Sequence, residues 1–180
     1  MNLFKEITES EILNLLKEVN LRLSEIGCHG KIILTGGAAM TLVFKARNST
    51  RDIDAIFEPE EIIYTIIDDI AEERRLRQDW LNNDFKEFVT KDLEQELYLK
   101  LSNLTISYIN AEGLLAMKLL AARPSPFKDK EDGIFLARIL NIQTEEELFN
   151  IVSKYYKPEE HSPQTKTFIK LVFQEYKEKP

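Results

Sequence analysis

In the stretch KIILTGGAAMTLVFKARNSTRDIDAIFEP, residues 31 to 59, a short apolar run meets Gly36 and Gly37, and a β-branched stretch then carries Asp52 and Asp54. Glycines between a strand and a helix let the backbone approach a ligand closely. The N–H groups of the first helical turn and the positive end of its dipole then favour an anion. The plainer account of the pair is a tight turn that needs positive φ. Aspartate is disfavoured in strands, and residues two apart on a strand point to the same face. At about 6 Å two carboxylates repel by roughly 1 to 3 kcal/mol as the dielectric falls from 80 to 20. A divalent cation reverses the sign of that interaction, and hard oxygen ligands completed by water and phosphate suit Mg²⁺. Without a metal, the pair would mark an edge strand with a solvated polar face. Together the four residues suggest a site that holds a nucleoside triphosphate and its metal.

The elements that would position them can be read from hydrophobic spacing. Residues 8 to 27 predict a helix, with Thr8 and Glu11 at capping-box spacing and Ile12, Leu15, Leu16, Val19, Leu23 and Ile26 at helical intervals. Residues 31 to 35 predict a strand, 38 to 45 a second helix, 50 to 57 a strand and 59 to 75 a third helix. A short helix over 80 to 89 and paired strands over 97 to 101 and 104 to 109 come next. Helices follow over 111 to 123, where Pro124 and Pro126 stop the chain, then 128 to 140, 144 to 156 and 163 to 177. The fold class is therefore α/β (α+β): a small mixed sheet flanked by helices, with a helical C-terminal part. The expected division is an α/β core over 1–110 and helices over 111–180 packed on it as one structural unit.

The combination of a double glycine, a helix of about ten residues and then RxxTRDIDAIF resembles the nucleotidyltransferase superfamily signature, in which DxD follows the glycine turn on the next strand. Within that superfamily the chain is similar to a small bacterial branch related to AbiEii-type toxin proteins, the match there including Arg47, Thr50, Asp52 and Asp54. DWLNNDFKEF, residues 79 to 88, is similar to a motif of uncharacterised members, which more often have an acidic residue at the place of Asn83. The resemblance covers roughly residues 30 to 140. It implies Mg²⁺ held by Asp52 and Asp54, and nucleotide contacts from Gly36, Gly37, Thr50 and Arg51. It further implies transfer of an NMP from an NTP to a hydroxyl of RNA or protein, and a place beside an antitoxin or other partner protein.

The stretch AEGLLAMKLLAARPSPFKDKED, 111 to 132, predicts a helix apolar nearly all round and hence buried. Lys118 lies inside it, and a lysine there must snorkel or be paired. Asp132 heads a stripe through Phe135, Leu136 and Ile139, with Asp129 one turn earlier. The related proteins carry a similar lysine and an aspartate near the nucleotide, which implies catalytic roles for Lys118 and for Asp132 or Asp129. The structural alternative is a buried Lys118–Asp132 ion pair. Two features depart from the active enzymes of that superfamily. The expected strands LYLKL and LTISYI offer no third carboxylate, and the turn is Gly-Gly rather than Gly-Ser.

The whole chain narrows the field further. A net charge of −7 over 180 residues argues against coating nucleic acid with a generic basic surface. One cysteine, Cys28, gives no internal disulfide and no CxxC zinc motif, and His29 and His161 make no multi-histidine centre. Neither histidine stands beside a serine elbow. The charged run AEERRLR reads as an exposed helix end. The start of the chain is acidic and amphipathic, unlike a signal peptide, and no apolar run reaches the ~18 residues of a membrane span. A cytoplasmic protein without membrane contact is expected. The reading is a Mg²⁺-dependent nucleotidyltransferase. Its alternatives are a non-catalytic protein that keeps the fold to bind a nucleotide or partner, and a structural interaction domain.

Overall fold

The computed structural model describes residues 6–121 and 127–178. The chain divides into two compact units: the described parts of Met1–Lys86 with Gln95–Ile109, and Glu87–Glu94 with the described parts of Asn110–Pro180.

In the first unit, β1 (Ile7–Thr8), α1 (Glu9–Glu25), β2 (Gly30–Leu34), α2 (Gly36–Leu42), β3 (Ser49–Thr50), β4 (Ile53–Glu58), α3 (Glu60–Arg74) and β5 (Leu81–Asn82) precede β6 (Gln95–Lys100) and β7 (Leu104–Ile109). Five strands form a mixed sheet in the order β5-β4-β2-β7-β6, and β1 pairs with β3 in a separate ribbon. The central strand β2 runs antiparallel to β4, with Leu34 opposite Ala55, and parallel to β7, with Ile32 opposite Ile106.

Alternation decides the two faces of this sheet. Gly30, Ile32 and Leu34 share one face of β2, and a Cβ on Gly30 would stand 2.8 Å from Cδ1 of Leu23 and 3.3 Å from Cδ1 of Ile63, so α1 and α3 pack there. Ile12, Leu16, Val19 and Leu23 of α1 are fully buried, as are Ile63 and Ile70 of α3. Ile26, expected on the same stripe, is 60% exposed because α1 ends at Glu25 and the chain turns away. The cross-strand partners Ala55 and Phe57 face the core. Asp54 and Ile56 therefore point the other way, onto a face where they are half-buried.

Two predicted elements differ in more than their bounds. The expected strand over 50–57 is two strands, β3 and β4, separated by a bend at Arg51 and Asp52. The expected helix over 80–89 is instead β5 and one 3₁₀ turn, Lys86–Phe88. The cause is the edge of β4: Ile53 N–H donates to the Trp80 carbonyl at 2.8 Å, and Asp54 lies opposite Asn82 in parallel register. The Asn82 side chain donates to the Asp79 carbonyl at 3.3 Å and accepts from Asp84 N–H at 3.1 Å, a local turn that competes with a helix.

The second unit contains α4 (Ala111–Leu120), α5 (Phe127–Ile139), α6 (Glu145–Tyr155) and α7 (Pro163–Glu178). Asn110 caps α4 by accepting from Gly113 N–H at 2.8 Å, and Thr144 caps α6 by accepting from Glu147 N–H at 3.3 Å. Leu115, Ala116 and Leu119 of α4 are fully buried. Residues 87–94 belong here because Tyr156 Oη donates to the Phe88 carbonyl at 2.5 Å and Asn110 N–H to the Glu94 carbonyl at 3.0 Å. The stop at Pro124 and Pro126 lies outside the described residues. Ile139, expected on the inward stripe of α5, is 50% exposed at the helix end, although Leu136 is buried. Among the described residues no helix is long and apolar enough to cross a membrane.

Trp80 is buried and its indole N–H donates to the Ile67 carbonyl at 3.1 Å, tying the entry of β5 to α3. Trp80→Phe removes that donor and part of the packing. It is expected to lower stability by about 1 to 3 kcal/mol, read from the urea midpoint.

Candidate functional site

The first unit gathers Gly36, Gly37, Arg47, Thr50 and Asp54 into one place. Gly36 takes φ +46°, a left-handed conformation in which a side chain is strained. A Cβ there would overlap Oδ2 of Asp54 and stand 3.1 Å from its Cγ. A Cβ on Gly37 would overlap Oγ1 of Thr50 and stand 2.9 Å from a terminal nitrogen of Arg47. The glycine turn is thus built against the side chains of the RxxTxDID stretch. The same contacts account for Gly-Gly: a serine at position 37 would displace Thr50 or Arg47.

Backbone bonds hold this arrangement. Thr35, the residue before α2, makes no side-chain cap; its N–H and its hydroxyl both donate to the Asp54 carbonyl, at 2.9 and 3.1 Å. On its other edge β4 is tied to Trp80, Leu81 and Asn82. Asp54 therefore sits on a strand clamped from both sides. Asp52 precedes that strand, in the bend, so strand alternation does not govern its direction as its spacing predicts. It lies near Arg77, whose pKa is raised first by its hydrogen bond to Asp79 and also by the charge of Asp52. Arg51 is exposed. The helix that starts at Gly36 has only seven residues.

Carboxylates elsewhere in the sheet do not join this group. The strand expected over 97–101 begins at Gln95, so it does carry an acid, Glu96. Glu96 accepts the phenol of Tyr108, whose pKa that bond and burial push up to about 12. It lies on β6, three strands from β4, about 14 Å at the usual strand spacing. The strand beside Asp54 presents an amide, Asn82. Asn83 is tied into the fold: it accepts from Tyr64 Oη at 2.6 Å and donates to Glu60 Oε1 at 2.8 Å. Among the described residues no group of three or more His, Cys, Asp or Glu side chains is placed to hold a metal ion. Asp54 lies against the glycine turn and Asp52 in the bend before β4; two such carboxylates would suit Mg²⁺ only with phosphate and water completing its oxygen shell.

Lys118 and Asp132 belong to the second unit. Lys118 Nζ stands 2.7 Å from Asp132 Oδ2 and 3.0 Å from Asp129 Oδ1. Lys118 and Asp132 are 9% and 5% exposed, so their charges meet largely away from water. The ion pair weighed from the sequence is present, widened to include Asp129. His29 is exposed, and the ring of His161 lies 3.2 Å from the Tyr156 carbonyl oxygen. The charged AEERRLR run is anchored to α1: Arg74 pairs with Glu18 at 2.9 Å, and Glu73 with Arg22 at 2.5 Å.

A mixed five-stranded sheet whose glycine turn is packed on an aspartate of the next strand is consistent with an α+β nucleotidyltransferase-like fold. The chain belongs to a family described as nucleotidyltransferases of unknown function (DUF6036), whose sequence model matches residues 10–179. Searches of the curated proteins and of the solved structures gave no significant match.

Two substitutions test this packing. Gly37→Ser is expected to cost about 1 to 3 kcal/mol, because the new side chain must displace Thr50 or Arg47. Lys118→Met leaves Asp132 buried beside no cation from α4 and is expected to cost about 3 to 5 kcal/mol, with the Lys118→Met, Asp132→Leu pair recovering most of it. Urea unfolding reads both.

Proposed function

We propose that the protein is a Mg²⁺-dependent nucleotidyltransferase that moves an NMP from an NTP to a hydroxyl of RNA or protein. The observation that carries this reading is the fit of Gly36 and Gly37 against Asp54 and Thr50, which sets the glycine turn directly beside a carboxylate on a half-buried face. In the proposed reaction the acceptor oxygen bonds to the α-phosphorus, the bond to the β-phosphate oxygen breaks, and pyrophosphate leaves; the hydroxyl proton passes to solvent or to a basic group. Asp52 and Asp54 would hold Mg²⁺, which when bound neutralises charge on the triphosphate. Gly36 and Gly37 allow phosphate oxygens to approach the main chain. Thr50 and Arg51 contribute a hydroxyl and a cation at the nucleotide. Thr35 keeps Asp54 in position through two bonds to its carbonyl.

Lys118 and Asp132 enter this reading through the resemblance alone, as a charge that stabilises phosphate in the transition state and a carboxylate that orients it. The AbiEii-type relationship, with a cognate antitoxin as partner, is the finer part of the same proposal. Growth arrest on expression of the chain, relieved by a protein encoded beside it, would support that part.

A second reading is favoured by one observation. The neighbour of Asp54 on β5 is the amide Asn82, and no third acid joins the pair among the described residues. A protein that binds the nucleotide without transferring it fits that donor set equally well.

Thermal unfolding with each of the four NTPs and Mg²⁺ tests the shared core of both readings. A ligand at a hundred times its Kd adds about 2.7 kcal/mol, which for a domain of this size raises Tm by about 5 to 11 °C. The shift is expected to need Mg²⁺ and to vanish in Asp54→Asn. Pyrophosphate release with a labelled acceptor then separates enzyme from binder. No shift with any NTP would overturn both.

A further inference from the structure

Asp52 stands in the bend before β4, where strand pairing does not set the direction of its side chain. The turn that leads into the DWLNNDFKEF stretch is built beside that bend. Trp80 N–H donates to the Arg77 carbonyl at 3.2 Å and closes residues 77–80 into the turn. The Trp80 carbonyl accepts Ile53 N–H at 2.8 Å, so the residue that follows Asp52 is bonded to the turn directly. The parallel pairing of Ile53 with Leu81 continues the contact, and the Trp80 indole, bonded to the Ile67 carbonyl, anchors the turn to α3.

Within the turn Arg77 grips Asp79: its Nε donates to Oδ1 at 2.7 Å, and a terminal nitrogen donates to Oδ2. Such a two-pronged bond fixes the plane of the guanidinium as well as its distance. That bond, with the charges of Arg77 and then of Arg51, holds the Asp79 carboxyl below the usual carboxylate range, so it stays an anion. Arg77 is the more enclosed partner, its side chain 27% exposed against 53%. The charge of Asp52 acts on Arg77 in turn. Arg51, Asp79, Arg77 and Asp52 thus alternate in sign across the two segments. The fork spends one edge of the guanidinium, and its other N–H groups can serve a second acceptor.

We propose that this fork is a positioning device for the candidate site: Arg77 keeps the Asp52 carboxylate in one orientation, and Asp79 keeps Arg77 in place. The proposal rests on the reading of the glycine turn and its two aspartates as a nucleotide site, and it gives the start of the DWLNNDFKEF stretch a part in that site. A ligating carboxylate is commonly oriented by a bonded partner behind it, and changing that partner typically costs about 10- to 100-fold in metal affinity or activity. Asp54 takes its orientation from β4, which is paired on both edges. Asp52 lacks that support, and a rigidly held cation on the neighbouring turn supplies it. A cation beside Asp52 also competes with a metal for the carboxylate. The two effects have opposite signs: under positioning, loss of Arg77 weakens binding, and under competition it tightens binding.

The test compares native protein with Arg77→Met, Asp79→Asn, Asp52→Asn and the pair Arg77→Met, Asp52→Asn. An ion pair as exposed as this fork contributes little to stability, so the variants are expected to fold. Each protein is titrated with the four Mg²⁺-NTPs by calorimetry and unfolded in urea without ligand. Arg77→Met is expected to weaken Mg²⁺-NTP binding about tenfold or more, and Asp79→Asn to weaken it in the same direction by less. The drop in urea midpoint caused by Arg77→Met is expected to shrink once Asp52 is Asn, as it does for residues that interact. A fork that only shapes its own turn would lower the midpoint equally in both backgrounds, and that result overturns the proposal. Tighter binding by Arg77→Met overturns it in favour of competition, and unchanged binding overturns it outright. Native protein that binds no Mg²⁺-NTP removes the nucleotide site and this role together. Native binding that is lost in Asp54→Asn but kept in Arg77→Met removes the positioning role alone.

Discussion

The approach of the start of α2 to β3 and β4, too close for a Cβ at Gly36 or Gly37, is the constraint on which the candidate site depends. It couples three things that otherwise have no reason to coincide. The turn needs a left-handed residue, β4 needs its Asp54 carbonyl paired, and the Asp54 side chain must face away from the core covered by α1 and α3. Thr35 answers the second need with both its N–H and its hydroxyl. The antiparallel register of β2 and β4 answers the third, since Leu34 opposite Ala55 commits Asp54 to the other face. Arg47 then stands against the turn, a terminal nitrogen 2.9 Å from where a Cβ on Gly37 would lie.

Where periodicity is strong and locally decided, the fold is legible in the sequence. The α1 stripe, its Thr8–Glu11 cap and the strands β2 and β7 follow from spacing and capping alone. The glycines are legible as a feature but not as a fit: which side chains they make room for depends on residues 10 to 18 positions away. Asp52 shows the limit of a period-two argument. Arg51 and Asp52 alternate like strand residues, but the chain bends there to pass from the β1–β3 ribbon to the main sheet, and only Asp54 keeps a strand's geometry.

Residues 80 to 89 mislead for a related reason. Their composition suits a short helix, but the edge of β4 offers unpaired backbone groups, and Ile53 takes the Trp80 carbonyl as its partner. Tertiary pairing outweighs local preference. The Lys118 cluster is legible in kind because a lysine in an apolar helix requires a partner, and the helical spacing of Asp129 and Asp132 supplies two. The early start of β6, which brings Glu96 into the sheet, is not legible: an exposed edge strand has no buried face to mark its end.

The parallel pairing of β2 with β7 has a consequence for how the chain is made. Gly30 pairs with Leu104, 74 positions later (104 − 30), whereas the β4 partner of β2 follows within thirty residues. At a synthesis rate of about 5 to 20 residues per second, those 74 residues take roughly 4 to 15 s to emerge. Once β4 has emerged within that interval, the apolar strand β2 has one edge open to it and the other still without its partner, with Ile32 and Ile33 beside unpaired backbone groups. An open apolar edge is a template for pairing with another chain, so the nascent first unit is most exposed to self-association before its central strand is enclosed.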